Sequence, residues 1–200
     1  MSIKAPVPKE PMRERGKVRV AALLDAGSTL FAEKGYEAAT MTEIARRAGA
    51  SIGSLYQFFP SKEVLAEALF NRYVERMAQV LRDIAARAPG LPPARLAHLL
   101  IELMLKLRTD RDVAMALFNS VDAIVESRKP PRYIIRSHVA AVLRAARPAL
   151  SEQRAIAAAM VVSQLIKTAP ALAEAEEQGG RGFIAEARRM LTLYLERILE

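Results

Sequence analysis

Apolar residues recur at intervals of three and four along most of the chain, and no stretch sustains alternation at intervals of two. The first spacing lines one face of an α-helix, and the second would line one face of a strand. Val20, Leu23, Leu24, Gly27, Leu30 and Phe31 predict a helix over 15–34, with Gly35 as its left-handed stop. Two short helical pieces follow at 40–48 and 51–58. Longer helices then resume at 61–88, 92–108, 111–127, 132–147, 151–176 and 182–199. Prolines at 60, 89, 92, 93, 130, 131, 148 and 170 fall at or near these boundaries, as expected of a residue tolerated only in a first helical turn or a break. Pro170 lies inside the penultimate segment and predicts an end or kink near Lys167. The fold class is therefore all-α. A small head over 15–60 and a larger helical body over 61–200 follow a flexible arm over 1–14.

The short pieces hold the chemistry. Thr40 with Glu43 three residues on makes a capping box that starts a helix. Ala45 permits a close helix crossing, Gly49 can take the positive φ of a tight turn, and Ser51 can cap the next helix. Leu55 and Phe58 would then face back onto Ile44. This is the spacing of a helix-turn-helix, whose second helix enters the major groove of DNA. Its outward positions are Ile52, Gly53, Ser54, Tyr56 and Gln57. Gln can bond adenine at two atoms, an apolar side chain can touch a thymine methyl, and hydroxyls suit phosphates.

Charge agrees with a polyanionic partner. The net charge is +8. Residues 1–62 hold ten Lys and Arg against six Asp and Glu, so this third of the chain carries half of the excess. Lys4, Lys9, Arg13, Arg15, Lys17 and Arg19 concentrate it in the arm and the start of the first helix. There is no cysteine, and the two histidines, His98 and His138, stand forty positions apart. No metal site and no cofactor is expected, nor any cysteine nucleophile, phosphate loop or nucleophile elbow; the reading is non-enzymatic. The longest apolar run, 155–166, is short of the roughly 20 residues of a spanning helix. The N-terminus lacks the apolar core of a secretory signal. No membrane association and a cytoplasmic location are expected. The competing reading is a helical interaction protein with a basic arm for membrane or nucleic acid.

The head resembles the DNA-binding domain of the TetR family of bacterial transcriptional regulators. The matching residues run from Phe31 to Tyr36 (Phe-Ala-Glu-Lys-Gly-Tyr), then Ala39-Thr40-Met41, Ile44-Ala45, Arg47 to Ser51, Gly53 to Tyr56, Phe59 and Ser61-Lys62-Glu63. Ala50 stands where the family usually has Val, and Phe58 where it usually has His or Tyr. The resemblance implies phosphate contacts from Thr40, Tyr56 and Lys62, base contacts from Ile52, Ser54 and Gln57, and a further contact from Arg47. It implies a repressor that binds double-stranded DNA as a homodimer on a palindromic operator and is released by a small-molecule effector. The dimer would form through the last two long helices, with Leu191 and Leu195 in the interface. The effector pocket would be lined by Met104, Phe118, Val121, His138, Met160 and Gln164. Such an apolar lining favours a hydrophobic effector.

Overall fold

A computed structural model describes residues 14–120 and 131–200, with side chains for all of these except 118–120, 131 and 132. The expected arm over 1–14, apart from Glu14, lies outside the described residues, as do Val121 and the Phe118 side chain. Among the described residues the secondary structure is helical, with no strand. The elements are α1 (Glu14–Ala38), α2 (Met41–Arg47), α3 (Ile52–Phe58), α4 (Lys62–Arg87), α5 (Pro93–Lys106), α6 (Arg108–Ser120), α7 (Pro131–Ala146), α8 (Glu152–Lys167), α9 (Ala169–Glu177) and α10 (Phe183–Leu199).

The chain divides into two units. The first holds α1, α2, α3, α4 as far as Tyr73, and α6 from Thr109; the second holds α4 from Val74, α5, and α7 through α10. The first unit therefore extends past residue 60, where the sequence placed the end of the head. The reason is packing. A methyl group at Gly27 of α1 would come within 3.2 Å of Leu65 Cδ2 and 3.5 Å of Leu69 Cδ1. The start of α4 thus packs closely onto α1, and a side chain at position 27 would have to displace the Leu65 methyl by a few tenths of an ångström. Leu23, Leu30, Phe31, Leu65, Leu69 and Tyr73 are all buried. Gly35 interrupts α1 at positive φ as expected, but its ψ of 167° is extended, not left-handed helical, and helical structure resumes to Ala38, with Tyr36 buried.

In the second unit α7 packs along α8, and α5 along α10. The α8 face that packs is rich in small residues: Ala155, Ala158, Ala159, Val162, Ser163 and Ile166. Small side chains let a neighbouring backbone approach closely. Between α8 and α9, Thr168 serves as the C-cap of one helix and the N-cap of the other, with Pro170 in the first turn of α9. Proline cannot donate the hydrogen bond that would continue α8, so the break near Lys167 is as the sequence predicts. The α9–α10 connection uses Gly180, whose N–H donates to the Ala175 carbonyl at 2.9 Å and whose missing Cβ makes room for the Phe183 ring. The N-cap of α10, Gly182, has no side chain. Glu176 of the preceding helix supplies the acceptor instead, taking the Ile184 N–H at 3.0 Å. Arg188 of α10 donates to Glu102 of α5 at 2.5 Å.

Among the described residues, one stretch, Glu152–Glu177, has the length and apolarity to cross a membrane. It is broken at Thr168, and 44% of its most apolar window is buried within the protein.

Candidate nucleic-acid interface

The capping box forms as the residues require. Thr40, in extended conformation, accepts the Glu43 N–H at 3.3 Å, and Glu43 Oε2 accepts the Thr40 N–H at 3.2 Å and its hydroxyl at 3.0 Å. Lys34 Nζ reaches Glu43 Oε1 at 2.5 Å. The Lys34 bond first, then the Thr40 hydroxyl and amide, pull the Glu43 carboxyl down to about 2. A carboxylate so held stays charged and keeps the start of α2 fixed to the end of α1.

Gly49 has φ 61° between α2 and α3. The turn closes through Gly49 N–H to Arg46 O at 3.2 Å and Ala50 N–H to Ala45 O at 2.9 Å. From α1, Arg19 Nη1 donates to the Gly49 carbonyl at 3.0 Å, so the turn is also held from outside. Ser51 caps α3 by accepting the Ser54 N–H at 3.2 Å. The helix is anchored by fully buried Leu55. Phe58 is half-buried, and the aromatic that enters the core is Phe59, at the C-cap. The step from Leu55 to Phe59 is four residues, one helical turn, which keeps both on one face.

With Leu55 and Phe59 inward, Ile52, Gly53, Tyr56 and Gln57 are exposed and Ser54 is half-buried. Ile52 and Tyr56 are large apolar-bodied side chains left 40% and 48% exposed. A shallow depression of about 470 Å³ adjoins this face. It is lined by the α2 N-cap Thr40, Thr42 of α2's first turn, Tyr56 of α3, Ser61 and Lys62 at the start of α4, and the acidic residues Glu37 and Glu63. The Thr40, Thr42, Ser61 and Tyr56 side chains bring hydroxyls to this depression, groups that suit a phosphate.

Two of the expected site residues are committed elsewhere. Arg47 makes a two-pronged ion pair with Glu33 of α1, at 2.6 and 2.8 Å, and its hydrogen bonds hold the Glu33 carboxyl below the usual range. Lys62 Nζ donates to the carbonyls of Tyr36, Glu37 and Ala39 at 2.9, 3.2 and 3.4 Å and lies 4.4 Å from the centre of the Tyr36 ring. An ammonium has three hydrogens, and all three find acceptors in the chain that leaves α1. Lys62 is thereby a positioning residue that caps the end of α1, and the Tyr36 hydroxyl ties the same corner by donating to Glu63 at 3.2 Å. Burial first, then Glu63, push the Tyr36 hydroxyl's pKa upward.

Sequence reasoning passed over Thr42 and Arg46. They lie one turn apart on the exposed side of α2. The Arg46 side chain has no hydrogen-bond or ion-pair partner among the described residues. The signal was present in the spacing: once Thr40 caps α2 and Ile44 and Ala45 point inward, 42 and 46 must point out.

Of the expected effector-pocket residues, four have described side chains. Met104 is buried on α5. His138 of α7 is half-buried, its pKa lowered by burial and then by Arg82. Met160 and Gln164, one turn apart, lie on the exposed side of α8, because the alanine face is the one that packs. They do not line the interior of a single chain.

The fold and this surface define a helix-turn-helix protein with a helical body. Residues 23–69 match the family described as bacterial regulatory proteins, tetR family, and residues 108–195 match the tetracyclin repressor-like C-terminal domain. Together these cover more than half of the chain, which belongs to the TetR family. Over 87 residues it is 40% identical to the HTH-type transcriptional repressor KstR of Mycolicibacterium smegmatis, an alignment covering 44% of this chain and 40% of that protein. Over 61 residues it is 46% identical to the HTH-type transcriptional activator FasR of the same organism, covering 30% and 28%. The chain spans less than half the length of these curated relatives. Among solved structures, a transcriptional regulator from Rhodococcus superposes with a TM-score of 0.64 at 23% identity, covering 92% of this chain and 95% of that one. Salmonella enterica GusR does so with 0.60 at 22% identity, covering 94% and 100%. These two likenesses are of fold.

Proposed function

We propose that this chain is a sequence-specific DNA-binding transcriptional repressor, a homodimer on a palindromic operator, released by a small hydrophobic effector. The observation that carries the reading is the outward face of α3. A seven-residue helix, capped at Ser51 and pinned by Leu55, leaves Ile52, Tyr56 and Gln57 exposed and Ser54 half-buried beside them, with no internal use for their large or hydrogen-bonding side chains. Ile52, Ser54 and Gln57 are assigned to base edges, and Thr40, Thr42 and Tyr56 to phosphates. Arg46 supplies charge from α2. Arg47 and Lys62 act by holding the helices in place. The repressor sense follows KstR, a repressor by name, and the cytoplasm is where such a protein would meet its operator.

Selection of bound duplexes from a random pool by the full-length protein tests the reading. Enrichment of a two-fold symmetric site is expected, with half-site centres about one helical turn or a multiple apart. A pool that remains random through the selection would overturn it. On the enriched duplex, Gln57→Ala should relax preference at one base pair per half-site, a loss of about 1–3 kcal/mol of discrimination. Equal losses on enriched and random duplexes would reassign Gln57 to the backbone.

Lys62→Met separates positioning from phosphate contact. A residue that neutralises one phosphate contributes about 0.9 to the salt slope. With its ammonium turned onto three carbonyls, Lys62 should contribute little to that slope. Its loss should instead lower the unfolding midpoint of the head, since charged hydrogen bonds contribute about 1.5–3 kcal/mol and these are partly open to solvent. Thermal unfolding and salt titration of one variant read both effects. A slope reduced by a full unit with an unchanged midpoint would return Lys62 to the phosphate contacts.

The homodimer is supported by two exposed stripes in the second unit. On α8 these are Ile156, Met160 and Val161; on α10 they are Phe183, Met190 and Leu193. Leu191 and Leu195, which the sequence placed in the interface, are fully buried in the subunit's own core. The partner-facing residues are their neighbours on the helix.

A further inference from the structure

We propose that α10 pairs with α10 of a second copy in one antiparallel register, with Met190 of each against Leu193 of the other and Glu186 of each against Arg197 of the other. The proposal rests on the homodimer reading and goes beyond it by fixing where the two-fold axis crosses the helix.

The exposed stripe of α10 is Phe183, Glu186, Met190, Leu193 and Arg197, at steps of three, four, three and four. Such steps keep one face of a helix aligned over several turns. The face is distinct from the buried one, which holds Ile184, Ala187, Leu191, Leu195 and Ile198. It is also distinct from the polar side carrying Arg189, Glu196 and Glu200, all exposed. Met190 and Leu193 are 51% and 60% exposed at the centre of the stripe, with one acid and one base outside them.

A two-fold contact is isologous: if residue i meets residue j, then j meets i. Where a two-fold axis crosses a helix at right angles, the two copies run antiparallel, and facing residue numbers have a constant sum. An axis between Leu191 and Thr192 makes Met190 face Leu193 and, by the same sum, Glu186 face Arg197. Apolar groups then meet at the centre and opposite charges at both flanks, the arrangement that complementarity selects. Other crossings fit worse. An axis slightly nearer the C-terminus, at Leu193, sets Glu186 against Glu200 and Arg189 against Arg197. An axis at Met190 turns Leu193 toward the buried position of Ala187 and leaves Arg197 opposite Phe183. The register between Leu191 and Thr192 alone among these sets apolar against apolar at the centre and opposite charges at the Glu186 and Arg197 flanks; beyond them it leaves Phe183 beside Glu200 at the ends.

Within one chain, Glu186 pairs with Arg189 at 3.3 Å and Arg197 with Glu200 at 3.2 Å, each three residues apart on an exposed face. These local pairs make the test specific. Glu186→Arg sets like charges beside Arg189, and Arg197→Glu does so beside Glu200. The double variant leaves both local clashes in place but restores opposite charges between copies. Sedimentation of the full chain should show each single variant dimerising about tenfold more weakly, the equivalent of 1.4 kcal/mol. The double variant should return to within about threefold of wild type on the same scale. A double variant as weak as the singles, or singles that dimerise like a dimeric wild type, would overturn the register and leave the homodimer standing. A wild-type chain that sediments as a monomer would remove the homodimer reading and the register with it.

Discussion

Glutamate at both Leu191 and Leu195 is expected to unfold the second unit, whereas glutamate at both Met190 and Leu193 should give a folded monomer. The two pairs interleave on the same two turns of α10, and only burial separates them. Leu191 and Leu195 are 0% exposed, and the α5 helix that packs along α10 contributes its own buried leucines, Leu96, Leu100 and Leu103. Removing a buried leucine costs about 2–5 kcal/mol. An unpaired carboxylate left in an apolar core adds several more, or takes up a proton instead. Two such changes together match or exceed the roughly 5–15 kcal/mol that holds a typical domain folded. Met190 and Leu193 are more than half exposed, so a carboxylate there stays hydrated in the single chain. Across a two-fold axis it meets its like and opposes dimerisation. Far-UV circular dichroism and sedimentation of the two double variants distinguish these fates. Full helicity in Leu191→Glu/Leu195→Glu would contradict the packing of α10 on α5. A Met190→Glu/Leu193→Glu variant that dimerises like wild type would move the interface off this stripe.

Gly49→Val should abolish binding to the selected duplex while the second unit keeps its helices. At φ 61° the glycine holds a conformation that L-residues avoid, at a cost of about 1–2 kcal/mol for an ordinary side chain and more for a β-branched one. A Cβ at this position would meet nothing within 4 Å. The penalty therefore comes from the backbone, and the turn must open to relieve it. Opening the turn moves the bonds that Ala50 and Arg19 make around it, and with them the direction of α3. Gly49→Asn is the control, since Asn adopts the left-handed region at less cost and should retain most binding. Duplex titration beside thermal unfolding checks both. Wild-type affinity in the valine variant would mean that the aim of α3 does not depend on this turn.

The local elements were legible in the sequence because local physics fixes them. Thr40 and Glu43 cap each other across one turn whatever surrounds them, and the observed box is the predicted one. Gly35 and Gly49 stand where the chain needs positive φ, and both have it. Pro170 ends α8 at Lys167 because a missing N–H cannot be supplied by any tertiary contact. Periodicity also placed Leu23, Leu30, Leu55 and Leu65 in a core. Spacing could not decide which of several apolar faces is covered by the chain itself. Helix α10 has apolar residues over so wide an arc that Leu191 and Leu193 look alike in sequence, and only the packing of other helices, α5 foremost, buries one and leaves the other outside. The same holds for α8, where the alanine face rather than Met160 packs inward. The fates of Lys62 and Arg47 were equally hidden. A cation on a basic surface reads as a phosphate contact until three carbonyls from the end of α1, or a carboxylate from Glu33, are brought within reach by folding. Caps, glycines and prolines act within a turn or two, so helix starts, stops and turns follow from neighbouring residues. Which faces are spent on the core, and which charges are left for a partner, depends on helices brought together from distant parts of the chain.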